Sequence, residues 1–335
     1  MPLYDSEQNF TMANCQEMDG IAQSPFLRAV LCIHTISSLL GLPLLAFLFR
    51  WTLTRQLMHY NTKFIIIFNV TCLVIHLLAR LQQHLGTLYD MHIERNNGCE
   101  IIPNIMYCFY TRLPYNCALW LCYSMTIILS IERCIATRVL RDYNRNRAVG
   151  PLLIAAQVMV TSLLITVFYL PVRFTGTIYY CMAMSPARMM FTVIPLSISM
   201  LFQSIAIITF TNLRAVNKRL QQRLRGAGDY GGRYQVEETL RSLNTLAPLF
   251  YSSCIFILIY LTLMCTTMAF SQDLSMPVFL ATIEGTNWIP QLCVFLPLLL
   301  WYQDRKVNKK VKNLLSIEVA TTPERYEEEL RKMWR

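Results

Sequence analysis

TLAPLFYSSCIFILIYLTLMCTTMAF, residues 245–270, runs without one charged side chain. About 20 apolar residues in helical form cross the hydrocarbon core of a bilayer, so a block of this length points to lipid. Six further blocks of the same kind surround it. The predicted spans lie near 26–49, 64–86, 107–131, 150–171, 189–212, 245–270 and 277–301. They must be helices, because lipid offers no partner to an open backbone group. Pro43, Pro171, Pro195, Pro290 and Pro297 are expected to kink helices without abolishing them. The expected fold class is an all-α membrane protein, a seven-transmembrane helix bundle. Residues 1–25 precede the first span, and 302–335 form a tail.

Composition agrees with that division. Of 335 residues, 54% are hydrophobic and 15% are charged, whereas a soluble domain carries nearer a quarter charged. The net charge of +10 does not point to nucleic acid, because the basic residues sit between apolar blocks and form no single patch. Residues 1–25 hold no short apolar stretch with a small-residue cleavage site, so the first span is expected to act as its own insertion signal.

Lys and Arg are retained on the cytosolic side of a membrane. With the N-terminus outside and the C-terminus in the cytosol, the cytosolic segments collect 24 of the 30 Lys and Arg residues. The second inner loop holds Arg133, Arg138, Arg141, Arg145 and Arg147. The third holds Arg214, Lys218, Arg219, Arg223, Arg225, Arg233 and Arg241. The outer loop after the second span is acidic instead, with Asp90, Glu94 and Glu100. Asn9-Phe10-Thr11 is a glycosylation acceptor and agrees with an outside N-terminus. Alone the triplet is weak evidence, since Asn69-Val70-Thr71 matches within a span.

Most of the twelve cysteines lie inside spans, as small apolar packing residues. Cys15, Cys99, Cys108 and Cys181 fall on or near the outer, oxidising side. A Cys108–Cys181 bond would pin the second outer loop across the top of the third helix and leave Cys15 and Cys99 as a second pair. On the sequence alone, the three pairings that four cysteines allow stay open. Cys108 precedes Arg133 by 25 residues, about 37 Å along one helix. That is roughly one membrane with its interfaces, so Cys108 marks the outer mouth and Arg133 the inner one.

The third span closes on Leu129-Ser130-Ile131-Glu132-Arg133-Cys134-Ile135-Ala136-Thr137. A Glu-Arg pair at an inner membrane edge can simply snorkel to the headgroups. Its distance from Cys108 suggests more. Glu132-Arg133-Cys134 resembles the acid-Arg-aromatic motif of rhodopsin-like G-protein-coupled receptors, and Cys108–Cys181 has their disulfide's counterpart position.

The chain more closely resembles the nematode serpentine chemoreceptors of the alpha and alpha/beta classes. The resemblance rests on Cys15, Gly98-Cys99-Glu100-Ile101, Cys108-Phe109, Ile131-Glu132-Arg133 and Ala136-Thr137. It extends to Arg233-Tyr234-Gln235-Val236-Glu237-Glu238-Thr239-Leu240-Arg241-Ser242-Leu243, and so covers residues 15–315. The rhodopsin-like pattern itself is incomplete. The second span has no Asp, the sixth has no Cys-Trp-x-Pro, and the seventh ends Leu296-Pro297-Leu298-Leu299-Leu300-Trp301-Tyr302.

The resemblance implies a chemosensory receptor at the plasma membrane, in sensory cilia, whose partners are a small-molecule ligand and a heterotrimeric G protein. Arg133 would meet the G-protein alpha subunit when the bundle opens, and Glu132 would hold Arg133 in the closed state. Leu213, Val216, Leu220 and Leu224 recur at helical spacing among basic residues, an amphipathic extension of the fifth helix. Gly226, Gly228, Gly231 and Gly232 follow as a flexible turn. Glu237 and Glu238 either pair with Arg133 or Arg241 or stay solvated. Val307, Val311, Leu314 and Leu315 beside Lys306, Lys309, Lys310 and Lys312 read as a short helix on the anionic inner leaflet.

Ionisable residues inside spans are costly and mark functional sites by default. Asn69, Leu73, His76, Arg80, His84 and Thr87 line one face of the second span. Arg112, Tyr115, Asn116 and Leu119 lie below Cys108 on the third, and Glu284, Asn287, Trp288 and Gln291 on the seventh. The expected ligand pocket comprises His76, Arg80, Arg112, Tyr115, Asn116, Glu284 and Trp288. Two arginines against one glutamate leave a spare positive charge, which suits a ligand with an acidic or strongly accepting group. A purely structural Arg80–Glu284 or Arg112–Glu284 bridge is the alternative.

No cofactor or metal is expected. A seven-span hydrolase needs His and carboxylate ligands converging on a metal, and the five His have no inner-facing carboxylate cluster beside them. A retinal pigment needs a Schiff-base Lys in the seventh span, where 277–301 has none. Insect-type odorant-gated channels place their N-terminus in the cytosol, against the charge bias, and transporters usually repeat internally. A ligand-gated channel or transporter remains the second reading.

Overall fold

The computed structural model describes residues 12–54, 58–92, 104–139, 143, 146–169, 180–181, 189–224, 230–271 and 273–319. Among these residues it is helical, with α1 (Met12–Ala22), α2 (Pro25–Thr54), α3 (Tyr60–His92), α4 (Ile105–Arg138), α5 (Val149–Tyr169), α6 (Met189–Leu224), α7 (Tyr230–Ala269), α8 (Met276–Thr286) and α9 (Ile289–Val319). Seven helical stretches are long and apolar enough to cross a membrane: α2 to α7, and α8 with α9 as the seventh. Leu152, Met159, Leu163, Leu201 and Ile208 are exposed on the outside of the bundle, as lipid-facing positions should be.

α4 is the hub, packed against α3, α5, α6 and α7. Hydrogen bonds between helices supply specificity that apolar packing in lipid lacks. Thr126 donates to the Gln203 side-chain oxygen at 2.6 Å, tying α4 to α6, and Gln157 donates to the Leu121 carbonyl at 2.7 Å, tying α5 to α4. Phe210 and Phe250 stack at 4.0 Å between α6 and α7.

α6 continues to Leu224, well beyond the apolar block, and α7 starts at Tyr230. The tail stretch from Lys306 is helical to Val319 as a direct continuation of α9. Before the first span, α1 is a helix with Met18, Ile21 and Ala22 buried. Arg28 fixes it by donating to the Ala22 carbonyl at 2.8 Å and, across to α3, to the Met91 carbonyl at 2.9 Å.

Pro43, Pro195 and Pro297 lie inside their helices. Pro290 instead sits in the first turn of α9, where a missing N–H costs nothing. Pro171, Cys99, the acceptor Asn9, Arg141 and Arg145 lie outside the described residues. Cys108 and Cys181 form a disulfide with Cα atoms 4.9 Å apart, and Cys15 is also disulfide-bonded.

Gly150 lets α5 meet α3 closely. Its N–H donates to the Asn61 side-chain oxygen at 3.1 Å, and a Cβ there would lie 2.9 Å from the Asn61 carbonyl oxygen. Gly150→Ala is therefore expected to push the helices apart and cost about 1–3 kcal/mol, the usual scale for overpacking. Thermal inactivation in detergent tests this. Gly86→Ala, where a Cβ meets nothing within 4 Å, should show no such loss.

Candidate functional site

Two polar clusters are buried in the bundle, both built on α4. In the half that holds Cys108, the carboxylate of Glu284 on α8 meets guanidiniums from α3 and α4. Arg112 donates to one oxygen, and Arg80 reaches the other at 3.4 Å. His84 Nε2 lies 3.5 Å from the same carboxylate. Arg80 is fully buried, with Arg112 at 7% exposure and Glu284 at 2%. Among the described residues here, two fixed positive charges face one negative.

Arg80 is poorly satisfied. Its four hydrogen bonds, to the Tyr115 hydroxyl, the Asn287 and Glu284 carbonyls and the Glu284 carboxylate, measure 3.3–3.5 Å, beyond the normal range for N–H donors. Arg80 Nε and Arg112 Nε have no hydrogen-bond partner. Tyr115 lies under both arginines, its ring 5.7 Å from the Arg80 guanidinium and 5.1 Å from that of Arg112. The amide of Asn287 donates to its hydroxyl. His76 stacks on the same ring at 4.5 Å, its Nδ1 3.3 Å from the Tyr115 carbonyl. That oxygen only accepts, so Nδ1 carries the proton and the unpartnered Nε2 is a lone pair.

The seventh span breaks between Thr286 and Ile289. The Asn287 side chain accepts from the Ile289 N–H at 3.3 Å, which starts α9 just before Pro290. The interruption opens the Glu284 and Asn287 carbonyls to Arg80. It also resets the helical phase, so Trp288 turns away from the cluster, 39% exposed, and donates to the Gly285 carbonyl at 2.8 Å. Asn116 is buried but faces α5, donating to the Tyr169 hydroxyl at 2.6 Å.

A small open cleft adjoins this cluster, walled by Met18, Gln83, Thr87, Asp90, Tyr107 and Thr111, among others. Tyr180 also lines it, with its ring 5.8 Å from the Arg112 guanidinium. Burial pushes the Tyr180 phenol well up from its ordinary range, so it stays protonated. Residues 180–181 are held in place by the Cys108–Cys181 disulfide and by Gln83, which donates to the Cys181 carbonyl at 3.1 Å.

At the other end of α4, Glu132 and Arg133 form a buried ion pair, 0% and 2% exposed. Arg133 donates to the Ser242 hydroxyl on α7 at 3.0 Å and to the Thr62 hydroxyl on α3. Thr62 donates in turn to Glu132 at 3.0 Å, and Tyr143 donates to the same carboxylate oxygen. Burial, then the adjacent Glu132 charge, raises the Tyr143 phenol above its usual range and keeps it a donor. One guanidinium thus ties α3, α4 and α7 together. Glu237 accepts from Gln221 on α6.

Residues 12–335 match the family described as serpentine type 7TM GPCR receptor class ab chemoreceptor. The chain belongs to this family. Serpentine receptor class alpha/beta-14 of Caenorhabditis elegans is 24% identical over an alignment of 256 residues, 72% of this chain, which spans 64% of that relative's length. Serpentine receptor class alpha-1 of the same organism is 23% identical over 325 residues, covering 94% of this chain and 96% of the relative.

For this serpentine receptor, the structure brings together Arg80, Arg112, Glu284, His76 and Tyr115, with Asn116 at the edge and Trp288 outside. Sequence reading misses His34, which is buried on α2 and accepts from Gln291 at 3.2 Å, and Tyr180. It also misses Thr62, Tyr143 and Ser242 around Arg133. No sequence spacing marks these residues, because each comes from a different element.

Proposed function

We propose that this serpentine receptor is a G-protein-coupled chemosensory receptor of the plasma membrane, with its N-terminus outside and its C-terminus in the cytosol. A small molecule with an acidic or strongly accepting group enters from the Cys108 end and binds among Arg80, Arg112 and Glu284. The observation that carries this is the under-satisfied Arg80, whose long hydrogen bonds leave a buried guanidinium something to gain from a better acceptor. Arg112 and Arg133 share one helix and lie 21 residues apart, about 32 Å. Ligand contact at Arg112 therefore has a continuous rigid path along α4 to the Glu132–Arg133 pair. On activation Arg133 leaves Ser242, α7 swings away, and the opened face receives the alpha subunit of a heterotrimeric G protein. The receptor family supports a location in the sensory cilia of chemosensory neurons.

The test is a second-messenger assay with a panel of small carboxylic acids, at matched surface levels of wild type, Arg133→Ala and Arg112→Gln. Arg133→Ala should abolish the response. Arg112→Gln should shift potency for acids by roughly tenfold or more, each tenfold being about 1.4 kcal/mol. Responses that survive Arg133→Ala, or that appear as direct membrane current, would sink the coupling claim and favour a ligand-gated channel.

A further inference from the structure

The buried cluster in the Cys108 half of the bundle does not balance its own charge. Arg80 and Arg112 keep their protons at every physiological pH, and both pair with the one carboxylate of Glu284. His34, His76 and His84 are buried in the same half, and a histidine can only add to a positive charge. The other polar contacts of the two guanidiniums are the phenols of Tyr115 and Tyr180 and the Asn287 carbonyl. Among the described residues, the cluster therefore carries a surplus of one positive charge. An unmatched charge buried among membrane helices is among the most costly arrangements a protein can hold.

The donors show the same surplus. Arg80 Nε and Arg112 Nε meet no acceptor, and the hydrogen bonds that Arg80 does make are long. Both guanidiniums lie beside the ring of Tyr115, at 5.7 and 5.1 Å from its centre. One small anion next to that ring is thus within a few ångströms of both charges, where low dielectric makes the attraction strong. Tyr180 connects the spot with the outside, because it lines the open cleft while its ring lies 5.8 Å from the Arg112 guanidinium.

The surplus sets the valence of what binds. A single negative charge neutralises the cluster, after which a second anion meets no net attraction. Burial of the cluster favours a small ion over phosphate or sulfate, and chloride is the abundant monovalent anion outside a cell. We propose that Arg80 and Arg112 hold a chloride ion when no chemical ligand is bound, and that an acidic ligand must displace it. The chloride site rests on the charge and donor surplus, and the displacement rests on the acid-binding reading above.

The experiment follows the thermal midpoint of the purified full-length receptor as a bulky morpholinesulfonate buffer anion is replaced by chloride. The replacement spans a roughly hundredfold range at constant ionic strength, so that screening does not change. A ligand of the folded state stabilises with the logarithm of its concentration above its dissociation constant, so the wild-type midpoint should climb with chloride. Arg112→Gln and Arg80→Gln each remove the surplus charge and should make the midpoint indifferent to chloride. Acetate, butyrate and benzoate, titrated into wild type at low and high chloride, give a second readout that needs no substitution. Each tenfold rise in chloride should weaken an effective carboxylate by up to about tenfold. A wild-type midpoint that ignores chloride overturns the site, and so does a chloride effect that persists in both variants. A carboxylate that stabilises equally well at low and high chloride overturns the displacement. A chloride effect lost in the variants, with no carboxylate acting on wild type, would overturn the acid reading and leave the chloride site standing.

Discussion

Glu284→Gln is expected to be the most damaging single substitution in the bundle, costing about 3–5 kcal/mol, the range for breaking a buried ion pair from one side. The carboxylate is the shared counter-charge of Arg80 and Arg112, and its residue is 2% exposed. Glutamine keeps the volume but leaves two buried guanidiniums without an anion. The remaining acceptors of Arg80 are two carbonyls and a phenol at 3.3–3.5 Å, too long to compensate. Surface delivery and the thermal midpoint of the solubilised receptor should both fall sharply. Removing one of the stranded charges should restore part of the loss, so Glu284→Gln combined with Arg112→Leu should be more stable than Glu284→Gln alone. Strict additivity of the two changes would mean the groups are not coupled. Wild-type stability in the single variant would mean the charges balance elsewhere.

Glu132→Gln carries the second large effect, in the opposite direction for signalling. In the structure, which the proposed mechanism takes as the closed state, Arg133 is held by the Glu132 carboxylate, the Thr62 hydroxyl and Ser242. Thr62 and Tyr143 are themselves oriented by that carboxylate. Replacing a charged acceptor with a neutral amide removes charge-assisted hydrogen bonds worth about 1.5–3 kcal/mol. The loss falls on the closed state, so the open population should rise by roughly one to two orders of magnitude. Elevated signalling without ligand is the expected readout. Ser242→Ala, which removes one neutral partner, should produce a smaller rise. Adding Arg133→Ala to Glu132→Gln must return the signal to baseline. A basal signal unchanged in Glu132→Gln would show that the pair does not hold the closed state.

The parts legible in the sequence are those set by one helix at a time. Apolar length identifies the spans, and the 25-residue step from Cys108 to Arg133 sets the depth of each along α4. Similar depth on three spans suffices to suspect that Arg80, Arg112 and Glu284 meet. What escapes is set by helix phase and by loops. Trp288 sits one residue past Asn287 on any unbroken helix, yet the interruption turns it outward. Ser242 reaches Arg133 because α7 begins 15 residues before the apolar block, so a position that reads as loop is buried helix. Tyr143 belongs to a connection whose path to Glu132 no periodicity encodes. α1 also hides, because its buried Met18, Ile21 and Ala22 make a stripe too short to separate from a polar leader.

The interruption of the seventh span has a further consequence. Two of the acceptors that seat Arg80 are peptide oxygens of Glu284 and Asn287, and no single base change can delete a peptide oxygen. With Glu284 kept as the counter-charge, the other side chains around the arginine can diversify while these two oxygens stay within its reach. A chemosensory lineage could therefore alter what this cavity detects, one residue at a time, without first having to reinvent the anchor.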